Sequence, residues 1–484
     1  MLAAELLRAL HAVVPGRSIL SRREAMKPYE TDGLTAIREV PGVVVLPETK
    51  KQLLGVFKAC KRFNTPVVLR GAGTGLSGGA RPINEGVLLV MSKFNRILEI
   101  DPDNRTATVE PGVTNLAISE ACAEFNLYYA PDPSSQIACS IGGNVAENAG
   151  GVHCLKYGLT VHNVIGLTVL TIDGVELTLG GKTLDSPGYE LLALFTGSEG
   201  LLGMVTEVVV RLLPQPIAKQ LLLGAFDSVE KAGAAVGQII SEGIIPAGME
   251  MMDKLAVEAA EQYVHAGYPL DADAILLCEL DGCVEDVQSD VDRVRSIMQR
   301  NGAFQVRESS DDAERELMWK GRKSAFPAVG RIRPDYYCMD GTIPRAALGR
   351  VLRDIATLAE KYDLLVANVF HAGDGNLHPL ILYDANIEGQ LEKTEELGGR
   401  ILELCVSVGG TITGEHGVGV EKLDQMCVQF GLLEIQQFHR LKNAFDPEEL
   451  LNPGKAIPTL ARCSELGGMH IHGGAVPFPD LDRF

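Results

Sequence analysis

The amino-acid sequence predicts an α+β protein with two main folded units. The first observation is a strand–helix–strand pattern near the start of the chain, where two apolar runs flank a segment with helical spacing. The second is a series of short strands that ends in a hairpin about Asp173-Gly174. The third is a change of pattern after Pro214 and Pro216, where strands and helices alternate without a glycine cluster.

The elements of the first unit follow from apolar spacing and turn residues. Helices are expected at Lys50–Phe63, Thr114–Phe125 and Tyr189–Thr196. Strands are expected at Val40–Pro47, Thr65–Arg70, Gly86–Ser92, Arg96–Ile100, Thr106–Glu110, Asn163–Ile172, Val175–Leu179 and Met204–Leu212. The segment Leu127–Val152 has no period and is rich in Gly, Ser, Pro and Asn, which predicts a loop.

The second unit contains longer helices between its strands. Strands are expected at Leu221–Phe226, Ala274–Asp281 and Leu364–His371. Helices are expected at Val229–Glu242, Cys283–Asn301, Ile387–Val408 and Leu432–Phe445. From about Pro458 onward the composition is typical of a tail.

Composition and charge exclude several classes of protein. A formal net charge of −19 disfavours nucleic acid and anionic membrane surfaces, which both require basic footprints. The ten cysteines include no C-x-x-C pair, which indicates reduced thiols in a cytosolic protein. Charged Glu5 and Arg8 interrupt the apolar N-terminus, so a signal peptide is not expected, and no apolar run reaches the ~20 residues of a membrane span. We therefore expect a cytoplasmic protein that contacts a membrane only through a partner.

A glycine-rich segment follows the predicted strand Thr65–Arg70. It reads Gly73-Thr74-Gly75-Leu76-Ser77-Gly78 and matches G-x-G-x-x-G. In a Rossmann fold a helix begins inside this motif. Here Arg81–Gly86 follows, which suits a helix poorly, and the next element is a strand. The segment instead predicts a backbone nest for a pyrophosphate.

A second glycine-rich segment, Pro131–Gly151, makes FAD the favoured ligand. Its glycine pairs and small polar residues suit a flat ring system and a diphosphate, because no Cβ blocks close approach. The loop Gly197–Gly203 adds a third predicted contact. The first segment, Arg70–Ala80, has no histidine for a covalent flavin bond, whereas His153, Cys139 and Cys154 lie in or beside the second. We expect the flavin to be bound non-covalently.

Together these segments resemble the flavoproteins of the vanillyl-alcohol oxidase and p-cresol methylhydroxylase (PCMH) type. Within them the chain is similar to the branch that includes the glycolate oxidase FAD subunit, D-lactate dehydrogenase and D-2-hydroxyglutarate dehydrogenase. The resemblance covers about Tyr29 to Pro458 and includes the ending Pro477-Phe478-Pro479-Asp480. It implies a two-subdomain PCMH-type FAD-binding domain, an α+β cap domain with an antiparallel sheet, and a C-terminal segment returning to the flavin. The implied ranges are an N-terminal helical segment (1–38), the FAD domain (39–215), the cap or substrate domain (216–415), the returning helical segment (416–458) and a tail (459–484).

The same resemblance assigns FAD contacts residue by residue. They are Arg70, Gly71, Ala72, Gly73, Thr74, Gly75, Leu76, Ser77, Gly78, Pro133, Ser134, Ser140, Gly142, Gly143, Asn144, Asn148, Ala149, Gly150, Gly151, Gly200, Gly203, Val205 and Asn452.

Two histidine motifs lie in the second half, His371-Ala372-Gly373-Asp374-Gly375-Asn376-Leu377-His378 and Gly414-Glu415-His416-Gly417. Spacing alone allows a divalent metal set but favours structural histidines, because it matches neither a zinc finger nor a metalloprotease. The resemblance implies that His371, His378 and Glu415 bind a divalent metal, with Zn, Mn and Fe all open. It also implies that His416 is the general base.

The resemblance also implies a substrate and redox partners. Arg322 is matched to the residue that grips the substrate carboxylate, as a guanidinium can do bidentately. Phe326 and Cys338 stand where D-2-hydroxyglutarate enzymes carry polar residues, which favours glycolate or D-lactate. D-2-hydroxyglutarate oxidation and group transfer like that of alkylglycerone-phosphate synthase remain the alternatives. The chain has no cysteine cluster of its own, so the expected electron acceptors are a second flavin-type subunit and an iron–sulfur subunit.

Overall fold

The computed structural model describes residues 4–183 and 187–468, which form two main units. The strands of the first unit are β1 (Ile19–Leu20), β2 (Val43–Val45), β3 (Val67–Arg70), β4 (Val87–Val90), β5 (Ile97–Asp101), β6 (Thr106–Val109), β7 (Leu127–Tyr128), β8 (Val164–Leu170), β9 (Glu176–Gly180), β10 (Met204–Arg211) and β11 (Leu213–Pro214). Its helices are α1 (Ala4–Val13), α2 (Arg23–Met26), α3 (Lys50–Arg62), α4 (Asn115–Cys122), α5 (Ile141–Glu147), α6 (Cys154–Tyr157), α7 (Thr160–Asn163) and α8 (Leu191–Phe195).

The second unit and the C-terminal segment contain the remaining elements. The strands are β12 (Ala218–Phe226), β13 (Gly248–Asp253), β14 (Ala274–Gly282), β15 (Gln305–Glu308), β16 (Asp335–Cys338), β17 (Leu365–His371) and β18 (Asn376–Tyr383). The helices are α9 (Val229–Ser241), α10 (Lys254–Val264), α11 (Val284–Arg300), α12 (Asp312–Lys323), α13 (Ala325–Val329), α14 (Leu348–Tyr362), α15 (Gln390–Ser407), α16 (Leu423–Gln429), α17 (Leu432–Phe445) and α18 (Leu460–Gly468). No helix in the described ranges is both long enough and apolar enough to cross a bilayer.

The first unit is built on two large sheets, and β7 and β11 form a further two-stranded sheet. In one large sheet, β2 and β3 both run parallel to β4, and every residue of β2 and β4 is buried, as expected for a parallel sheet covered on both faces. Helix α3 packs on it through Leu53 and Phe57 and is capped by Thr49, whose hydroxyl accepts from Gln52 N at 3.2 Å. The other large sheet is antiparallel, in the order β5-β6-β10-β8-β9.

The path after β3 confirms that the first glycine-rich segment is not a Rossmann motif. The chain passes from Arg70 through the glycines into β4 without forming a helix. Strands β3 and β4 are parallel neighbours, so the segment is the crossover between them.

The prediction that Leu127–Val152 is entirely loop is wrong. It contains β7 and the seven-residue helix α5. Two glycines weaken the helical propensity of α5, but Ile141 and Val145 are fully buried, and the Ser140 hydroxyl accepts from Gly143 N at 3.3 Å as a cap. Tertiary burial and capping therefore override local composition.

The cap domain is organised by one seven-stranded antiparallel sheet, in the order β15-β12-β14-β13-β17-β18-β16. Helices α9, α11, α14 and α15 bury apolar residues on one face, and α10, α12 and α13 on the other. Strands β13 and β17 pair so that Glu250 stands opposite His371. The hairpin of β17 and β18 then brings His378 next to the same region.

The C-terminal segment returns to the first unit and completes its parallel sheet. Val67 N donates to Leu450 O at 2.7 Å, and Asn452 N donates to Val67 O at 2.9 Å. Leu450 and Leu451 are buried in the core beneath this sheet. The returning chain thus places Asn452 beside the first glycine-rich segment.

Two expectations about the end of the chain need correction. Residues after Pro458 are not all tail, because α18 packs against α16 and α17. A disulfide joins Cys427 and Cys463, whereas reduced thiols were expected throughout. The pair is separated by 36 residues, and only helix packing brings it together, so no spacing motif could reveal it. His470, His472 and the Pro477–Asp480 ending lie outside the described residues.

Candidate active site

A cavity of about 410 Å³ lies between the first unit and the cap domain. Of the predicted site residues, those that line it are Arg70, Gly71, Ala72, Gly73, Thr74, Gly75, Leu76, Pro133, Ser134, Ser140, Gly142, Gly143, Asn144, Ala149, Gly200, Gly203, Val205, Arg322, His378, Glu415, His416 and Asn452. The cavity thus brings the glycine-rich segments, the histidine motifs and the arginine into one space.

The glycine positions explain why side chains are excluded from this wall. A Cβ on Gly71 would collide with the Ser140 hydroxyl, and one on Gly142 would lie 2.5 Å from Pro111 Cβ. Gly73 has a φ of +76°, which favours glycine. Gly75 lines the cavity, and accordingly no atom lies within 4 Å of the position that its Cβ would take. The backbone is therefore open to a ligand, and this cradle fits FAD.

The predicted cofactor residues that do not line the cavity support its wall. Ser77 O accepts from Val420 N at 3.0 Å, and the Asn148 side-chain oxygen accepts from Val161 N at 2.9 Å. A Cβ on Gly150 would lie 2.5 Å from Glu415 Oε2. Gly78 and Gly151 have positive φ angles of 75° and 152°. These residues shape the loops that carry the lining residues.

Two of the three side chains considered for a covalent flavin bond, His153 and Cys139, have hydrogen-bond partners. His153 Nδ1 lies 2.9 Å from Asp132 Oδ2, and its Nε2 lies 3.2 Å from Glu279 Oε1. Burial opposes its protonation, but the two carboxylates, Asp132 first, raise the pKa of His153 to about 10. Neither His153 nor Cys154 lines the cavity, whereas Cys139 lines it and contacts the Asn144 amide at 3.4 Å.

The three predicted metal ligands converge at the cavity wall, where His378 and Glu415 line the cavity and His371 does not. His378 Nε2 lies 3.1 Å from Glu415 Oε1, and His371 Nε2 lies 3.5 Å from the same oxygen. Their ligand atoms all lie within 4.8 Å of one another. The His378 Nδ1 atom is buried and has no hydrogen-bond partner among the described residues. Two imidazoles and a carboxylate in one buried group form a donor set that fits Zn, Mn or Fe.

His416 stacks on His378, with ring centroids 5.0 Å apart and an interplanar angle of 9°. Burial lowers the pKa of His416 to about 4, against the pull of Asp340. Its Nδ1 has no hydrogen-bond partner among the described residues. His416 is therefore neutral near pH 7 and can accept a proton.

The loop carrying Glu415 and His416 is held by a residue that sequence reasoning missed. Asp340 Oδ2 accepts from Gly414 N at 3.1 Å and from His416 N at 2.8 Å. It also accepts from the buried Lys422 ammonium at 3.4 Å. Burial works against ionisation, yet His416 and Lys422 lower the pKa of Asp340 to about 2.

Two further carboxylates that the sequence did not reveal, Glu147 and Glu199, belong to the first unit and face the cap domain across the cavity. Glu199 accepts from Val418 N and Gly419 N, both at 2.7 Å, and so ties the first unit to the histidine loop. Burial raises the pKa of Glu147 well above its usual range, and neighbouring Glu199 adds to the effect. Both carboxylates line the cavity, but isolated glutamates gave no motif by which to select them.

Arg322 is almost completely buried and lines the cavity beside Lys323 and Phe326. Its Nη2 lies 2.6 Å from Glu250 Oε2. Phe326 packs edge-on against His378, with ring centroids 6.2 Å apart. Two cationic side chains, Arg322 and Lys323, and the apolar ring of Phe326 therefore lie on the same part of the cavity wall as His378.

Comparisons with known proteins agree with this architecture. The family described as FAD binding domain matches residues 41–180, and that described as FAD linked oxidases, C-terminal domain, matches residues 215–456. The chain is 64% identical to the glycolate oxidase subunit GlcD of Escherichia coli, over 99% of this chain and 96% of that protein. It is 39% identical to the subunit of the same name from Bacillus subtilis, over 90% and 93% of the two chains. It is 34% identical to a D-lactate dehydrogenase of Archaeoglobus fulgidus, over 90% and 96%.

Among solved structures, p-cresol methylhydroxylase with substrate bound matches with a TM-score of 0.79 at 18% identity, covering 95% of this chain and 98% of that one. At this identity the likeness shows the fold alone, and it confirms the PCMH type. The chain belongs to the FAD-linked oxidases with a PCMH-type FAD-binding domain. It is an FAD-dependent oxidoreductase.

Proposed function

We propose that this enzyme is a dehydrogenase that oxidises a small D-2-hydroxy acid, glycolate or D-lactate, to the 2-oxo acid. The observation that carries the proposal is the single cavity in which a glycine cradle meets Arg322, His378, Glu415 and His416. The names of the Escherichia coli and Archaeoglobus fulgidus relatives support the choice of acids.

The two glycine-rich segments, the loop Gly200–Val205 and Asn452 would hold the FAD. Asn452 ties three parts of this wall together, since its Oδ1 accepts from Leu69 N at 3.0 Å and its Nδ2 donates to Glu199 O at 2.6 Å. FAD, when bound, supplies the acceptor for the hydride that leaves the substrate carbon.

His371, His378 and Glu415 would hold a divalent ion. Such an ion lowers the pKa of a bound alcohol and fixes its position. Glu415 is fit for this role because it is ionised: burial opposes the charge, but hydrogen bonds from His371 and His378 hold the pKa of Glu415 well below its usual range. Both imidazoles turn Nε2 toward it.

His416 would take the hydroxyl proton of the substrate. It lines the cavity, it is neutral, and its Nδ1 has no competing partner among the described residues. The stacking on His378 fixes the ring in place, so that little reorganisation is needed when the proton moves.

Arg322 would bind the substrate carboxylate, and Phe326 and Pro327 would limit its size. Both apolar residues line the cavity. Lys323 also lines it but lies 3.8 Å from Asp132 Oδ2, which partly satisfies its charge. A second carboxylate would leave water for an apolar wall, which is unfavourable. The site therefore favours a monocarboxylate over D-2-hydroxyglutarate.

The enzyme would pass its electrons to partner proteins, a second flavin-type subunit and an iron–sulfur subunit. The Escherichia coli relative is itself named a subunit. Within the described residues, the cysteine that joins a possible metal group is Cys338, beside two histidines. A four-thiolate cluster is not formed there.

Metal removal tests the proposal. EDTA treatment is expected to leave the flavin bound, because none of the predicted FAD contacts is a predicted metal ligand, and to abolish anaerobic flavin reduction by glycolate or D-lactate. Adding back Zn, Mn or Fe is expected to restore reduction with at least one of them. The measurement is flavin absorbance with metal content determined in parallel. Full-rate reduction by metal-free protein would exclude the metal role.

A further inference from the structure

Glu250 is a buried carboxylate that connects two parts of the active site. It lies in the middle of β13 with 1% of its surface exposed. Its Oε1 is 2.6 Å from His371 Nδ1, and its Oε2 is 2.6 Å from Arg322 Nη2. One side chain therefore touches both the predicted metal ligand and the predicted carboxylate-binding arginine.

A charged carboxylate at position 250 would be unfavourable without the contacts to His371 and Arg322. The neighbouring residues Met249, Met251 and Met252 are almost fully buried, as expected for a central strand. A buried carboxylate is tolerated when it is paired and hydrogen-bonded. Strand pairing places His371 opposite Glu250. Helix α12 packs on the same face of the sheet as Met252 and Val369 and brings Arg322 to Glu250.

We propose that Glu250 is a positioning residue that orients both His371 and Arg322. The inference rests on the proposed metal and substrate roles of those two residues. A carboxylate only accepts hydrogen bonds, so the contact to His371 keeps the imidazole proton on Nδ1. Nε2, which lies 3.5 Å from Glu415 Oε1, would then offer its lone pair to the ion in place of the proton that it shares with Glu415 when no metal is bound. Such outer partners fix the tautomer and the ring orientation of a metal-binding histidine.

The second oxygen of Glu250 fixes Arg322 at the cavity. Neither Nε nor Nη2 of the arginine makes a directed hydrogen bond among the described residues, so the ion pair between Nη2 and Glu250 Oε2 at 2.6 Å is the contact that holds this side of the guanidinium. Because both contacts come from one carboxylate, the distance between the metal ligand and the carboxylate-binding group is set by a single rigid strand.

The sheet offers a matched control. Glu279 on the adjacent strand β14 is 3% exposed and also bridges a histidine and a second donor, His153 and Trp319. It does not line the cavity. Glu279→Gln therefore removes an equivalent buried charge without touching a predicted ligand.

The test is the Zn²⁺ affinity of protein that keeps its flavin but has been stripped of metal with EDTA, measured by competition with a chromophoric chelator. Glu250→Gln is expected to weaken Zn²⁺ binding ~10–100-fold, the range typical for outer partners of a metal-binding histidine. Glu279→Gln is expected to leave it near the wild-type value. At saturating Zn²⁺, Glu250→Gln is also expected to raise KM for glycolate, because Arg322 is released, whereas Glu279→Gln leaves KM unchanged.

A second pair of variants covers the case in which Glu250→Gln does not fold because Arg322 is left unpaired. Arg322→Met keeps the Glu250 contact to His371, and the double variant Glu250→Gln/Arg322→Met removes it without leaving a buried positive charge. We expect near-wild-type Zn²⁺ affinity for the first and ~10–100-fold weaker binding for the second.

The possible failures can be told apart. Wild-type protein that binds Zn²⁺ and is reduced by the acid, with equal Zn²⁺ affinity in the glutamine variants, overturns the role of Glu250 alone. Wild-type protein that binds no Zn²⁺, Mn²⁺ or Fe²⁺ overturns the proposed metal site, and the role of Glu250 with it.

Discussion

Replacing His416 by alanine is expected to leave the flavin bound and to slow its reduction by substrate ~10²–10⁴-fold, the usual contribution of a general base. The change removes the ring that stacks on His378 and lines the cavity. It leaves the backbone contact from His416 N to Asp340 in place, so the loop keeps its shape. Rapid mixing with glycolate or D-lactate under anaerobic conditions measures the rate directly.

His439→Ala is the matched control for this variant. His439 lies on α17, and its Nε2 contacts Pro458 O at 3.0 Å, away from the cavity lining. Its rate of flavin reduction is expected to equal that of the wild type. If His416→Ala is also reduced within about tenfold of the wild-type rate, the base is another residue.

Replacing Asp340 by asparagine is expected to have the largest effect on stability. The Oδ2 atom collects donors from Thr413, Gly414, His416 and Lys422. An amide cannot accept at both positions, and its NH₂ group would face donors. Breaking a buried ion pair by removing one partner costs about 3–5 kcal/mol, so we expect a loss of unfolding free energy of that size.

Because the same loop carries Glu415 and His416, Asp340→Asn is also expected to lose metal and flavin reduction. Chemical denaturation and metal content measure the two effects. Asp311→Asn is the control: Asp311 is an exposed carboxylate that caps α12 through Glu314 N at 2.8 Å, and asparagine caps a helix equally well. A loss of below about 1 kcal/mol in both variants would contradict the role given to Asp340.

The sequence allowed prediction of those parts of the fold that depend on local pattern. Gly73 and Gly75 lie in a loop between the parallel strands β3 and β4. The apolar pattern after this segment had already indicated that a strand follows it and not a helix. Strand β13 was missed because Glu250 interrupts its apolar run, and β18 because His378-Pro379 does the same. In both strands the disrupting residue is at or beside the site, and tertiary partners make it acceptable in a buried strand.

The site was predicted in the same uneven way. The family resemblance of two motifs predicted His371, His378, Glu415 and His416 as metal and base residues, and the structure brings these four side chains together. The motifs could not name Asp340, Glu199 or Glu250, which act through contacts 76, 219 and 121 residues away in sequence. A lone carboxylate has no spacing signature, so its role becomes visible only when the fold supplies its partners.

Anaerobic flavin reduction by a panel of acids tests the central claim most directly. The purified, metal-replete protein is mixed separately with glycolate, D-lactate, L-lactate and D-2-hydroxyglutarate, and its visible absorbance is followed. We predict yellow protein that is bleached fast by glycolate or D-lactate, and slowly or not at all by L-lactate and D-2-hydroxyglutarate. Flavoprotein that none of the four acids bleaches, or that D-2-hydroxyglutarate bleaches fastest, would contradict the assignment of a small D-2-hydroxy monocarboxylate as substrate.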